Sequence, residues 1–159
     1  MSLDDMAHMA DQERKREREE GMDKYTQENW PADRWPNFSF DECKCKQTGE
    51  CFLDDVFMSS LQALRTACGF PLQMTSVYRH PTHTAERTKP TGPGAHSRGE
   101  AGDISCTHSK AYKIMVEACK IGFTGIFLKQ HGDTQGRFIH LDTAGNQSHA
   151  PRPHVKTYE

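Results

Sequence analysis

Between Asp54 and Gly69 the apolar residues Phe57, Leu61, Leu64 and Cys68 recur three or four positions apart, the spacing of a helix with one buried stripe. Asp54 and Asp55 can cap its start, and Gly69 can end it. The segment PLQMTSVY, 71–78, alternates apolar and polar residues and predicts a strand. Pro81, Pro90, Gly92, Pro93 and Gly94 then predict a long connection. A short strand is expected over 101–106. Ser109 is read as the cap of a second helix, with Ala111, Met115 and Ala118 on one face and Gly122 as its stop. Two more strands, 124–129 and 137–142, flank a polar turn with Gly132 and Gly136 and read as a hairpin. This order predicts an α+β fold, with helices packed on a small antiparallel sheet. The residues after Asp142, with Pro151 and Pro153, read as an irregular tail.

The 36 N-terminal residues have no such pattern. They hold 6 Lys+Arg and 10 Asp+Glu of the chain's 20 and 22. Nine of the ten residues from Asp11 to Glu20 are charged, with both signs interspersed and no apolar stripe. Such a run forms a solvated helix held by i,i+4 pairs, or an interaction arm. Trp30, Pro31, Trp35 and Pro36 read as an extended linker whose aromatics can anchor on the domain. The boundaries expected are therefore 1–36 for arm and linker and 37–159 for the domain. Splitting the chain explains its mean hydropathy of −0.82. The net charge of −2 gives no whole-chain case for nucleic acid. No window has the roughly 18 consecutive apolar residues of a spanning helix, so no membrane insertion is expected. The start lacks the apolar run of a secretory signal.

Among nine histidines, His96 stands out, in Gly94-Ala95-His96-Ser97-Arg98-Gly99-Glu100-Ala101-Gly102-Asp103. From His96 to Asp103 an extended chain spans roughly 23 Å and a helix about 10 Å, too far for two ligands of one ion. A chain reversal can join them, and Gly99 and Gly102 supply freedom for it. The plainer reading is a glycine-rich loop followed by a strand with a surface Asp. In Phe138-Ile139-His140-Leu141-Asp142, alternation turns Ile139 and Leu141 to a core and His140 and Asp142 to the other face. His140 is then a candidate third ligand, unless it is an ordinary exposed strand histidine. Two His and one Asp leave a coordination position open, as catalytic zinc sites do. Asp142 is a candidate for orienting a ligand ring.

The run from Phe38 to Asp142 resembles the zinc D-alanyl-D-alanine carboxypeptidase and hedgehog superfamily, most of all its small phage and bacterial peptidoglycan peptidases. The likeness rests on FSFDECKCKQTGEC, LQALR, PLQMTSVYRHP, HSRGEAGD and FIHLD in that order, and above all on His-x-x-Gly-x-Ala-x-Asp at His96, Gly99, Ala101 and Asp103. It implies the hedgehog/DD-peptidase-like fold and one zinc ion (Zn2+) held by His96, Asp103 and His140. It implies that Arg79, after the Ser-x-Tyr strand, stabilises negative charge on the attacked carbonyl, against a plain ion-pair role. Arg79 and Ser97 are the expected substrate contacts. The general base that relatives carry two to six positions before the last ligand has no usual residue here. Asp133, then His131, in the hairpin turn, are the nearest candidates. The implied activity is hydrolysis of peptide bonds in peptidoglycan stem peptides, as carboxypeptidase or endopeptidase. A phage lysin fits the lack of a leader, acting from host cytoplasm onto the cell wall. The alternative is a non-catalytic zinc module of a virion or other assembly; a weaker one is a disulfide-linked structural protein.

Cys43, Cys45 and Cys51 have C-x-C-x5-C spacing, which misses the usual C-x2-C zinc pattern. Free thiols, disulfides and, with Cys68, a structural metal site all stay open. His80 and His83 can line a cleft or simply be solvated.

Overall fold

The computed structural model describes residues 1–9 and 21–159. The charged run expected as helix or arm, 11–20, lies outside the described residues. Residues 3–9 are helical and exposed.

The chain then runs β1 (Asp23–Tyr25), α1 (Phe40–Cys43), β2 (Cys51–Leu53), α2 (Asp55–Cys68) and β3 (Gln73–Ser76). It continues through α3 (Thr84–Arg87), a 3-10 turn at Ala95–Arg98, β4 (Ala101–Ser105), α4 (His108–Ile121) and β5 (Gly125–Lys129). A second 3-10 turn at Thr134–Gly136 leads to β6 (Phe138–Asp142), and β7 (His154–Thr157) comes last. The predicted helix over Asp54 to Gly69 is α2. Asp54 accepts a hydrogen bond from the Phe57 amide at 2.9 Å, and Gly69 ends the helix at φ 74°. Its stripe of Phe57, Leu61 and Leu64 is fully buried. The second helix also stops as expected, at Gly122 with φ 102°, but its N-cap is Thr107 rather than Ser109.

The main sheet has the order β3-β4-β6-β5-β7. The β5–β6 hairpin is antiparallel, with Gly125 opposite Asp142 and Lys129 opposite Phe138. The sheet is mixed rather than antiparallel throughout, because β7 pairs parallel to β5. Asp142, the last residue of β6, and His154, the first of β7, both pair with Gly125. The connection 143–153 therefore crosses that end of β5 and sets β7 on its far edge, where an irregular tail was expected.

Ile104, Ile126, Ile139 and Leu141 turn one face of the sheet to the core that α2 and α4 cover. Each fully buried Leu or Ile there contributes about 1.5–3 kcal/mol relative to exposure. Trp35, 1% exposed, and Tyr25 belong to the same core, and β1 pairs with β2. Residues 23–36, read as part of the arm and linker, are thus packed into the folded body by their aromatics. The opposite face of the sheet carries Asp103 and His140, with Phe127 beside them.

Candidate metal centre

Asp103 and His140 are directly opposite each other on the adjacent strands β4 and β6. Antiparallel pairing places such side chains on the same face, about 5 Å apart at the Cβ. His96 reaches them from the 3-10 turn before β4. The reversal is made by Gly99 at φ 67°, where a Cβ would lie 2.6 Å from the Phe52 carbonyl oxygen. Gly102 acts differently from expectation, through space rather than freedom. Its missing side chain makes room for Met74 and Phe57.

The result is one buried cluster in which ligand atoms of His96, Asp103 and His140 all lie within 4.8 Å of one another. The residues are 3%, 8% and 6% exposed. Asp103 Oδ1 lies 3.1 Å from His140 Nδ1 and 3.4 Å from His96 Nε2. The outward-facing nitrogens are already taken. His96 Nδ1 contacts the Val77 carbonyl at 2.6 Å, so it donates and Nε2 is left with its lone pair towards Asp103. His140 Nε2 contacts Asp142 Oδ2 at 2.7 Å, which leaves Nδ1 for the centre. Metal-binding histidines are held in this way, with the second nitrogen on a carbonyl or carboxylate. The three donors fit a divalent metal ion.

Behind the His96-Asp103-His140 cluster the support is dense. Asp142 is fully buried and receives Arg152 Nε and Nη2, each at 2.8 Å, a bidentate pair. Gly125 makes room for it, since a Cβ there would run into the carboxylate. Phe127, opposite His140 on β5, stacks on its ring at 4.8 Å with planes 11° apart. Burial raises the cost of charge here, yet His96 and His140 hold the Asp103 carboxyl well below its usual range. Burial likewise works against the Asp142 carboxylate, and His140 and Arg152 outweigh it. Burial pushes His96 down, towards the neutral form that a metal requires. For His140 burial is outweighed by hydrogen bonds to Asp103 and Asp142, which raise it.

The other expected site residues divide. Arg79 lines the cavity above the cluster, a space of about 450 Å³, but its guanidinium faces Asp103. Nη2 donates to Asp103 Oδ2 at 2.9 Å, Nε to Ser76 and Nη1 to Glu86. Ser97 is 2% exposed and donates its hydroxyl to the Arg79 carbonyl at 2.7 Å, so it is outside the lining. Asp133 and His131 are also outside it. Asp133 caps the Thr134–Gly136 turn by accepting from the Gln135 amide, and Arg137 ties that turn to the Gly132 carbonyl. His131 Nε2 meets the Tyr158 carbonyl at 2.9 Å.

What the sequence reading missed comes from the segment taken as a tail. His149, Arg152, Lys156 and Tyr158 all line the cavity. The alternation of His154, Lys156 and Tyr158 was the available signal. Phe127 touches all three, which confirms their common face.

Comparison with protein-family models, with curated proteins and with solved structures gives no match.

The six cysteines are free thiols, five of them buried. Among the described residues they contribute to no metal cluster. Among those residues, too, no helix is long and apolar enough to cross a membrane.

Proposed function

We propose that this protein is a zinc-dependent peptidase acting on peptidoglycan stem peptides. One observation carries the reading: a buried His-Asp-His set, with its outer nitrogens already satisfied, opens onto a cavity of about 450 Å³. Two imidazoles and one carboxylate suit zinc, and three protein ligands leave a position for substrate or water. The motif resemblance supplies the substrate class and the hedgehog/DD-peptidase-like fold family.

Bound there, zinc would supply Lewis acidity towards a carbonyl and activation of water. The protein's own groups do the rest. Asp142 fixes the His140 ring, and Arg79 fixes the outer oxygen of Asp103. His149 is the imidazole in the lining outside the ligand set, among the described residues. It takes the role of base that the sequence reading gave to Asp133 or His131, accepting a proton from water and returning it to the leaving amine. The cavity is cationic, with Arg79, Lys89, Arg98, Arg152 and Lys156 around it, which suits peptides that carry carboxylates.

A second reading is a zinc module without turnover. It is favoured by the lack, among the described residues, of any carboxylate in the lining besides Asp103. Incubation of the zinc-loaded protein with purified cell wall separates the two. Released amines or carboxyl termini that disappear in His149→Ala support the peptidase. Full zinc occupancy with no release from walls of several cross-link types supports the module.

A further inference from the structure

Arg79 commits three of its five N–H groups within the protein. Its Nε, Nη1 and Nη2 are each bonded, to Ser76, Glu86 and Asp103. A hydrolytic centre still needs a donor aimed at the oxygen on which charge develops. Tyr158 lies in the same cavity and is held from three sides. Its amide donates to the Leu128 carbonyl at 2.9 Å, extending the β5–β7 pairing by one residue. His131 contacts its carbonyl, and its ring packs on Phe138 at 5.3 Å and on Phe127 at 6.4 Å. The phenol hydroxyl itself has no hydrogen-bond partner among the described residues. Tyr158 shares the cavity lining with His96, Asp103, His140 and Arg79. Burial, reinforced by Asp103, pushes its ionisation up to about 12, so it stays protonated and remains a donor.

We propose that Tyr158 is a catalytic residue: its hydroxyl donates a hydrogen bond to the substrate oxygen that becomes negative when water adds to the scissile carbonyl. This rests on the peptidase reading above. The phenol keeps its proton throughout. Water's oxygen forms the new bond to carbon, the C–N bond breaks, and the proton taken from water leaves with the amine. His131, one of the two residues proposed from sequence as a base, becomes a positioning residue, since it holds the Tyr158 backbone rather than the substrate.

The test compares wild type with Tyr158→Phe, which removes only the hydroxyl. Three quantities are measured: zinc affinity, hydrolysis of an acyl-D-Ala-D-Ala peptide or a cross-linked stem peptide, and calorimetric binding of a phosphinic analogue of the cleaved bond. The analogue mimics the tetrahedral oxyanion and needs no turnover. Zinc affinity and KM should stay unchanged, kcat should fall about 10²-fold or more, and the phosphinate should bind correspondingly more weakly. A wild type that hydrolyses peptide and binds the phosphinate no better than Tyr158→Phe does overturns the role of Tyr158 alone. A wild type that loads zinc yet neither hydrolyses peptide nor binds the phosphinate overturns the peptidase reading, and the role of Tyr158 with it.

Discussion

Asp142 touches neither cavity nor solvent, yet it joins His140 to Arg152 at 2.7 and 2.8 Å. A carboxylate in that position sets which nitrogen of the ring faces Asp103 and would face a metal ion. Asp142→Asn should therefore weaken zinc binding about 10–100-fold, as measured by competition with a chromogenic chelator. Asp133→Asn should leave zinc uptake and turnover unchanged, because Asp133 only caps a turn outside the cavity. Glu86 is the third informative residue. It is fully buried and accepts from Lys89 at 3.0 Å, from the Gly94 amide at 2.8 Å and from Arg79 at 3.3 Å. Burial opposes its charge, but the Gly94 amide and Lys89 lower its ionisation below the usual value of 4.5. Removing one partner of such a buried pair costs about 3–5 kcal/mol, so Glu86→Ala should destabilise the protein on that scale in urea unfolding at pH 7. A carboxyl lowered on folding stabilises above its unfolded value and loses that contribution as pH falls through its folded one. The part of the wild-type advantage that comes from Glu86 charge should thus shrink below about pH 4.5.

At the scale of elements, α2 was legible because every signal agreed: cap, stripe and terminal glycine. Asp54→Ala should cost about 1 kcal/mol, read as a fall of about 2–4 °C in Tm. The three residues that could hold a metal ion were legible too. Alternation in FIHLD placed His140 on the face away from Ile139 and Leu141, and a chain reversal such as the one Gly99 makes was the way His96 and Asp103 could meet. Beyond the β5–β6 hairpin, partners across strands could not be read, because pairing between segments distant in sequence is decided by the whole sheet. Nothing local in PHVKTY states that it lies parallel to β5 and faces His140. The base was sought in the hairpin turn for the same reason. The turn is close in sequence to the last ligand, whereas the tail that lines the cavity is close only in space. Lys156 shows what that tail adds. Its ammonium sits 4.4 Å from the Phe127 ring and makes no ion pair among the described residues. Lys156→Ala should raise KM for an anionic stem peptide, with kcat little changed, and the difference should diminish at high salt.

For the molecule as a whole, the sheet separates two tasks. One face, with Ile104, Ile139 and Leu141, is core; the other bears Asp103 and His140 beneath a cavity lined by imidazoles and cations. A metal ion bound at the His96-Asp103-His140 cluster would stabilise the fold as a ligand of the native state. The most direct measurement is zinc binding by the intact chain, as metal content after dialysis together with Tm. The account predicts one zinc per chain, lost in His140→Ala. At a free zinc concentration of about 100 Kd the expected gain is about 2.7 kcal/mol, seen as a Tm rise of about 5 °C or more. A wild-type protein that takes up no zinc, or a folded His140→Ala that takes up as much, would contradict it.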